Sequence, residues 1–560
     1  MKIPRTILRP IAFAAGLHAS GQVRQFLRAH RRTAQVQQRV LMDLVSKHRD
    51  TDFGRDHGFA TIGDAADFRA AVPVRSYEQM ESYFQRVLEG HTTALLPADQ
   101  PVLMFSRTSG TTGKSKHIPV TPAFLAHMRR GWSVWGLCAL RDHPTAWLRP
   151  ILQVSSPTRE TDSPTGLPCG AISGLLAKTQ RPIVRRMYCV KPSVCDISDP
   201  QAKCYTTLRC AAEHDVAFIT TANPSSTIRL IETAQANAER LVRDLHEGTL
   251  CPPGHIEPEV ARTLRFAPRP RLARTLQRQI ERDGMLLPRH LWRVAFLANW
   301  TGGTLGLYLP RLRELFDGAV VRDIGLLASE GRFSVPMEDN SAAGVAEILG
   351  NFLEFIPADC HDQPNPPTLL AHELEVGAEY FLVVTNWAGL WRYNLDDRVR
   401  VTGKLGDSPV IEFLCRGVRT ASLTGEKLTE RQVVEAMERT CGKLGLAAER
   451  FTLQGVFAEL PHYRLSVEQA DPATAGAMAA ALDQMLAELN IEYASKRRSG
   501  RLGAIQPRLL EAGTLERTER QLLQARGGRL EQYKHQYLLT DVVTQGPGPA
   551  TPGQSKDQHG

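Results

Sequence analysis

The sequence lacks the cysteine and apolar patterns that define several protein classes. Its ten cysteines include no C-x-x-C pair. The spacings between Cys189, Cys195, Cys204 and Cys210 match no usual zinc-binding arrangement. We therefore expect no metal at these thiols and interpret them as reduced, mostly buried cysteines of a cytoplasmic protein.

Long apolar segments are also missing. No apolar run approaches the ~18 residues that a membrane-spanning helix needs, so membrane insertion is not expected. The N-terminal segment Met1–Gly21 carries basic residues and an interrupted apolar patch without a convincing cleavage site. It predicts an N-terminal helix rather than a signal peptide. The tail Gln545–Gly560 is rich in proline and glycine and predicts disorder.

The charge balance gives a weak indication of the partners. The chain has 560 residues, a formal charge of +9 and 42% hydrophobic residues, which is ordinary for a globular protein. A basic excess suits anionic substrates, nucleic acid or lipid headgroups. The most basic run, Ser495–Arg501, has only Tyr493 as a nearby aromatic residue, so a nucleic-acid partner is not expected.

The order of apolar patterns predicts two domains. Helical periodicity over 21–50, 228–245 and 257–280 alternates with strand patterns such as EYFLVVT (Glu379–Thr385), which predicts a large α/β domain over residues 1–420. After Thr429 two helical segments flank a pair of strand patterns. This change predicts a smaller α+β domain over residues 421–544.

A loop rich in serine, threonine and glycine is the first chemical signal. Residues 106–121 read SRTSGTTGKSKHIPVT, and Gly110 and Gly113 are three residues apart. The loop of nucleotide hydrolases requires two glycines five residues apart before the lysine, so this is a different loop. Hydroxyl groups and bare backbone N–H groups suit phosphate oxygens. A plain surface turn is the alternative for the loop taken alone.

Six further segments give the loop its context. They occur in this order: TDFGRDHGF (Thr51–Phe59), FRAAVPVRSYEQMESYFQRVLEG (Phe68–Gly90), GLLASEG (Gly325–Gly331), WRYNLDDRVRVTG (Trp391–Gly403), LTGEKL (Leu423–Leu428) and NIEYASKRRSGRLG (Asn490–Gly503). Together with the loop they resemble the auxin-responsive acyl-acid amido synthetases of the Gretchen Hagen type and their bacterial relatives. The resemblance extends from about Thr51 to Lys534, nearly the whole chain.

The resemblance implies a fold and a reaction. The fold is α/β, with a large N-terminal adenylate-forming domain and a smaller, mobile α+β C-terminal lid domain. In the first half-reaction a carboxylic acid attacks ATP and forms an acyl-adenylate. In the second, an amino acid or another amine displaces AMP. The expected partners are therefore a small carboxylic acid and an amine, and the expected cofactors are ATP and Mg²⁺.

The resemblance also implies roles for individual residues. Glu330 is the expected catalytic group and metal ligand near the phosphates, where Mg²⁺ would bridge phosphate oxygens. Asp397 would accept hydrogen bonds from both ribose hydroxyls. Lys427 would be the catalytic lysine that neutralises charge at the α-phosphate. The remaining ATP-binding residues are Thr108, Ser109, Gly110, Thr111, Thr112, Gly113 and Ser329.

Some positions leave alternatives open. Lys114 and Lys116 either add positive charge near the phosphates or are solvated. Asp396 replaces a family glycine, and Leu326 stands where an aromatic residue often stacks on adenine. Transfer of the acyl group to coenzyme A or a carrier thiol is one alternative function, and a non-catalytic regulator that binds ATP or acyl acids is another. The sequence does not identify the acid or the amine.

Overall fold

The structure is a computed structural model with side chains. It describes residues 20–109, 115–180, 182–302, 305, 308–417, 420–446, 451–468, 470–515, 517–518 and 537–544. The chain divides into two compact units. The first contains the described residues up to Thr108 and from Ser115 to Gly417, and the second contains Ser109 and the described residues from Thr420 onward. Five residues of the predicted phosphate loop (110–114) and the tail 545–560 lie outside the described residues.

The first unit contains α-helices together with three sheets of four or more strands. Helix α1 covers residues 20–29. The other helices are α2 Thr33–His48, α3 Asp52–Asp56, α4 Ala65–Ala71, α5 Tyr77–Leu88, α6 Pro122–Asp142, α7 Ile172–Lys178, α8 Pro182–Arg185, α9 Pro200–Ala211, α10 Pro224–Ala236, α11 Ala238–Glu247, α12 Pro258–Thr263, α13 Pro270–Asp283, α14 Pro288–Leu291 and α15 Leu309–Leu315.

Local sequence signals explain where several of these helices begin and end. Helix α10 begins with Pro224 in its first turn, and the side chain of Asn223 accepts a hydrogen bond from the backbone N–H of Ser225. The helical pattern predicted over 257–280 is two helices, because Pro270 starts α13 after a break. Gly284 ends α13 in the left-handed conformation that glycine adopts without strain.

The strands of the first unit form two four-stranded sheets and one seven-stranded sheet, with a separate two-stranded hairpin. The strands are β1 Met104–Ser109, β2 Ser115–Val120, β3 Ile151–Gln153, β4 Thr161–Asp162, β5 Pro168–Gly170, β6 Phe218–Thr220, β7 Phe296–Asn299, β8 Val321–Asp323, β9 Leu327–Ala328, β10 Gly331–Arg332, β11 Ser334–Val335, β12 Gly344–Ala346, β13 Asn351–Pro357, β14 Leu369–Leu370, β15 Glu379–Asn386, β16 Leu390–Leu405 and β17 Ser408–Arg416.

Sheet topology makes the first unit an α/β structure. Strands β3, β6, β7 and β8 are parallel and are separated in the chain by helices, so both sheet faces are covered and the strands are buried. The seven-stranded sheet has the order β11-β12-β17-β16-β15-β13-β14 and is antiparallel. The loop that follows β1 leads into β2, in the four-stranded sheet β2-β1-β5-β4.

The second unit is a separate α+β structure with its own core. Its elements are β18 Thr420–Ala421, β19 Leu428–Thr429, α16 Glu430–Leu444, β20 Phe451–Phe457, β21 His462–Glu468, α17 Pro472–Leu489, α18 Ile491–Arg498, β22 Gln506–Leu510 and β23 Leu538–Thr544. The four longer strands form a sheet of order β22-β21-β20-β23. Leu453 and Tyr463 of this sheet and Leu482 and Tyr493 of helices α17 and α18 are fully buried in the core of the second unit.

The mixed α/β class with a large N-terminal and a smaller C-terminal part confirms the fold expected from the sequence. Within the part of the chain that the structure describes, no helix combines the length and the apolar character needed to cross a membrane.

Candidate functional site

A tight hairpin presents two of the predicted site residues. Strands β9 and β10 pair through Ala328 and Gly331, so Ser329 and Glu330 form the two-residue turn between them. The Glu330 carbonyl accepts a hydrogen bond of 2.7 Å from the side chain of Asn386. The Glu330 side chain is 1% exposed, and its Oε1 has no hydrogen-bond partner among the described residues. A buried carboxylate oxygen is costly unless a hydrogen-bond donor or a cation satisfies it, so Glu330 is a candidate ligand-binding residue.

Neighbouring strands place Asp397 opposite a nearly buried arginine. Asp397 and Arg416 are cross-strand partners of β16 and β17, and Arg416 Nε lies 3.6 Å from Asp397 Oδ1. Burial alone lowers the pKa of Arg416, but the Asp397 carboxylate, followed by Glu330, more than reverses this, so the guanidinium stays charged. Asp397 and Glu330 thus lie around one buried cation.

A buried lysine joins this group from strand β2. Lys116 is 5% exposed, its Nζ donates a hydrogen bond of 3.1 Å to the Tyr393 hydroxyl, and it lies over the ring of Tyr77. Burial lowers the pKa of Lys116, and the charge of Arg416 lowers it further. The solvated alternative for Lys116 is therefore wrong. Lys114 lies outside the described residues.

Two tyrosines complete the polar cluster, which we call the β2–β16 cluster: Tyr77, Lys116, Glu330, Tyr393, Asp397 and Arg416. Burial raises the pKa of Tyr77 to about 12 and that of Tyr393 well above its usual value. Both hydroxyls therefore remain protonated donors at neutral pH. The sequence analysis missed Tyr77, Tyr393 and Arg416, because only the register of the sheet and the packing of α5 bring them beside Glu330 and Asp397.

Asp396 and Asp397 point to different partners. Asp396 has a positive φ of 62°, the conformation that glycine adopts most easily and that aspartate tolerates. Its Oδ1 lies 3.0 Å from His361 Nε2, and the His361 ring lies over Phe381. The backbone here therefore keeps the conformation that suits the family's glycine, and the extra carboxylate is held by a histidine.

The His361–Asp396 pair predicts a pH dependence of stability. The hydrogen bond to Asp396, with a smaller contribution from Asp362, raises the pKa of His361 above its model-compound value of 6.5. Because the folded state then binds the proton more tightly, the pair stabilises the fold below pH 6.5, and this contribution disappears as the pH rises through the raised pKa. We expect the stability difference between wild type and Asp396→Asn to be largest near pH 6 and to shrink by pH 8.

Urea unfolding at several pH values measures this difference. Asparagine also tolerates a positive φ, so Asp396→Asn removes the charge without adding backbone strain. A difference in unfolding free energy that stays constant from pH 6 to pH 8 would show that His361 does not titrate against Asp396.

Leu326 and Arg392, two other positions within the motifs, are buried. The Leu326 side chain is 5% exposed within the main core. The Arg392 guanidinium pairs with Glu354, with Nε–Oε2 and Nη2–Oε1 distances of 2.9 and 3.0 Å. Arg392 therefore holds β16 to β13 and does not pair with Asp397.

Lys427 belongs to the second unit and has a constrained backbone. Its φ is 48°, which is uncommon for a residue with a β-carbon. The preceding Glu426 is fully buried, and its carboxylate accepts hydrogen bonds from the backbone N–H groups of Leu423 and Thr424. The Asn490 side chain donates to the Glu426 carbonyl. The turn before β19 is thus fixed, and it sets the direction of Lys427.

Ser109 and Thr108 end strand β1, where the predicted phosphate loop begins. The structure describes the strand at these two positions but neither side chain. Gly110, Thr111, Thr112 and Gly113 fall outside the described residues. Their role in phosphate binding stays a prediction.

Comparisons with known proteins identify relatives over most of the chain. Sequence models of the GH3 family match residues 22–321 (N-terminal domain), 347–416 (central domain) and 431–542 (C-terminal domain). The chain is 27% identical to the indole-3-acetic acid-amido synthetase GH3.8 of Oryza sativa subsp. indica, covering 89% of this chain and 87% of that protein. It is 24% identical to the jasmonoyl--L-amino acid synthetase JAR6 of Nicotiana attenuata, covering 89% and 90%.

A solved structure shows the same fold. The chain is similar to the AtGH3.15 acyl acid amido synthetase in complex with 2,4-DB, with a TM-score of 0.65 and 19% identity over 93% of this chain and 95% of that one.

Proposed function

We propose that this chain, which belongs to the GH3 family, is an ATP-dependent acyl-acid amido synthetase acting in the cytoplasm. A carboxylate oxygen of the acid attacks the α-phosphorus of ATP, and pyrophosphate leaves. The nitrogen of an amino acid or another amine then attacks the acyl carbon, AMP leaves, and the amine loses a proton. The full-length relatives named above, amido synthetases of indole-3-acetic acid and jasmonate, support this class of substrates.

The observation that carries the proposal is the β2–β16 cluster. The cluster places two cations, the buried Lys116 and the nearly buried Arg416, beside the carboxylates of Glu330 and Asp397. A triphosphate and a carboxylate repel one another, so a site that joins them needs fixed positive charge. We assign Asp397 to the ribose hydroxyls, since a carboxylate accepts from both at once.

The residues also fit a magnesium ion. Glu330 offers a buried carboxylate oxygen that has no partner among the described residues, and carboxylate oxygen is a preferred Mg²⁺ ligand. The described residues contain no group of three His, Cys, Asp or Glu side chains that could hold a metal. One carboxylate with phosphate oxygens and water is the usual way in which Mg²⁺ binds at nucleotide sites. There it would neutralise phosphate charge during adenylation.

Acid-dependent release of pyrophosphate from MgATP tests the function. We would use a panel of aryl, indolyl and fatty acids, with and without the twenty amino acids, and identify products by mass spectrometry. Release that requires an acid, together with an amide product, is the expected result. A thioester formed only with added coenzyme A would instead indicate acyl transfer to a thiol. ATP binding without release for any acid would favour a non-catalytic regulator.

Glu330→Gln tests the metal assignment. Removing the charge while keeping the shape should lower kcat/KM for pyrophosphate release by about 10²-fold. It should also raise the Mg²⁺ concentration needed for half-maximal rate, because the neutral amide is a weaker ligand. Glu338→Gln, an exposed position eight residues later, is the matched control and should match wild type. An unchanged magnesium dependence in Glu330→Gln would contradict the assignment.

A further inference from the structure

Arg332 is a buried guanidinium with one edge unused. It follows Glu330 by two residues on strand β10 and is 2% exposed. Its Nη1 donates hydrogen bonds to the carbonyls of Ile324 (2.9 Å) and Ser334 (3.2 Å). Its Nε and Nη2 are both buried and have no hydrogen-bond partner among the described residues. Two buried donors on one guanidinium edge are costly unless an acceptor satisfies them.

The same edge binds carboxylates elsewhere in this chain. Arg392 uses Nε and Nη2 to hold both oxygens of Glu354. Arg497 uses Nε and Nη2 to hold Asp483, at 2.8 Å and 2.7 Å. The spacing of these two donors matches the two oxygens of a carboxylate, which gives the bidentate pair. The Nε/Nη2 edge of Arg332 therefore presents the same two donors that hold carboxylates at Arg392 and Arg497.

The nearby acidic side chains do not fill this position. Burial lowers the pKa of the Arg332 guanidinium to about 10, although the negative charges of Glu347 and Asp323 act in the opposite direction. Neither forms an ion pair with it within 4 Å in the described part of the chain. The Asp323 carboxylate accepts from Thr301, and Glu347 Oε2 accepts from the backbone N–H of Gly350. Both carboxylates are thus engaged with other donors.

Helix α6 packs against one side of the Arg332 guanidinium. The Trp132 ring lies 4.4 Å from the Arg332 guanidinium carbon, and Trp132 Nε1 is a third buried donor without a partner. Trp132 is itself only partly buried, as is Arg130, two residues earlier on the same helix. Gly131 allows the close approach, because a β-carbon there would lie 2.3 Å from Arg332 Cδ.

We propose that the Nε/Nη2 edge of Arg332, with Trp132 beneath it, binds the carboxylate of a small-molecule substrate as a bidentate pair. The inference rests on the proposed function and deepens it, because both the acid and the amino acid carry a carboxylate. Arg332 follows Glu330 by two residues on the hairpin, so the proposed carboxylate site is adjacent in the chain to the turn that carries Glu330. The ligand class is an organic carboxylate, and its source is either the acyl acid or the acceptor amino acid.

Binding measurements with matched pairs of ligands test the proposal without requiring catalysis. The probes are indole-3-acetate, benzoate and decanoate, each against its primary amide, and L-phenylalanine against L-phenylalaninamide. In the wild type, at least one carboxylate should bind about tenfold or more tightly than its amide, by calorimetry with ATP present. Arg332→Lys keeps the positive charge but loses the planar guanidinium with its two parallel N–H donors, and it should remove that preference.

The pair that shows the effect identifies the source of the carboxylate. A preference in the acid pairs assigns the edge to the acyl acid, and a preference only for phenylalanine assigns it to the amino acid. Equal binding of every carboxylate and its amide in the wild type would overturn the proposal, since an ordered water would then satisfy the donors. A preference that Arg332→Lys retains would overturn it as well.

A second variant displaces the guanidinium without changing its charge, in case Arg332→Lys does not fold. Gly131→Ala places a β-carbon against Arg332 Cδ, whereas Gly136→Ala on the same helix has nothing within 4 Å. Both add alanine to α6, so both gain helix propensity. Only Gly131→Ala should lose the preference for carboxylate over amide. Equal behaviour of the two variants would contradict the proposed role.

The kinetics separate this inference from the function itself. If pyrophosphate is released, Arg332→Lys should raise the KM of the carboxylate substrate about tenfold and leave the KM of ATP unchanged. If no acid supports release in the wild type, the proposed function fails. The difference between carboxylate and amide binding still decides the role of Arg332.

Discussion

Lys427→Ala is expected to lower acid-dependent pyrophosphate release by about 10²–10³-fold, the usual effect of removing one group that stabilises charge in a transition state. The role rests on the position of Lys427 in the GEKL motif, and the second unit fixes its backbone through Glu426 and Asn490. Measurement of kcat for pyrophosphate release in Lys427→Ala and in the wild type tests the expected loss. Lys443→Ala, a lysine of helix α16 that bonds Gln484, is the control and should keep wild-type activity.

The left-handed backbone of Lys427 provides a test that separates activity from stability. Its φ of 48° strains any residue with a β-carbon, by about 1 kcal/mol, and does not strain glycine. Lys427→Gly should therefore be at least as stable as Lys427→Ala in thermal unfolding, while losing the same activity. Recovery of activity in the glycine variant would show that the Lys427 amine is not needed for adenylation.

Glu354→Gln is expected to destabilise the first unit by about 3–5 kcal/mol, because it removes one partner of a buried ion pair. Glu354 is 1% exposed and accepts hydrogen bonds from Arg392, from Arg69 at 3.0 Å and from Thr368 at 2.7 Å. The glutamine keeps the shape but leaves the buried Arg392 guanidinium without its counter-charge. Urea unfolding followed by tryptophan fluorescence measures the change, since Trp391 lies in the core of this unit.

A neighbouring glutamate is the matched control for this effect. Glu379 on β15 also pairs with two arginines, Arg398 and Arg400, but all three side chains are between 23% and 46% exposed. Water screens these pairs, so Glu379→Gln should cost less than about 1 kcal/mol. Equal destabilisation by the two substitutions would mean that burial does not determine the strength of these pairs.

The fold class and the family were predictable from the sequence, and both are confirmed. Local patterns were sufficient for elements such as β15 and α17, because apolar periodicity reports which face of an element is buried. The predicted helix over 257–280 was wrong as a single element, since Pro270 begins a new helix there. The assigned roles of Glu330, Asp397 and Lys427 stay predictions that the experiments above address.

The sequence by itself determined the order of the motifs, the chemistry that they resemble and the residues that carry it. Only the tertiary structure decided which charges are buried together. Arg416 lies beside Asp397 because β16 and β17 pair in one register, and Lys116 is buried because β2 packs near Tyr77 and Tyr393. The free edge of Arg332 is likewise invisible in the sequence, because hydrogen bonds and burial depend on residues that are far apart along the chain.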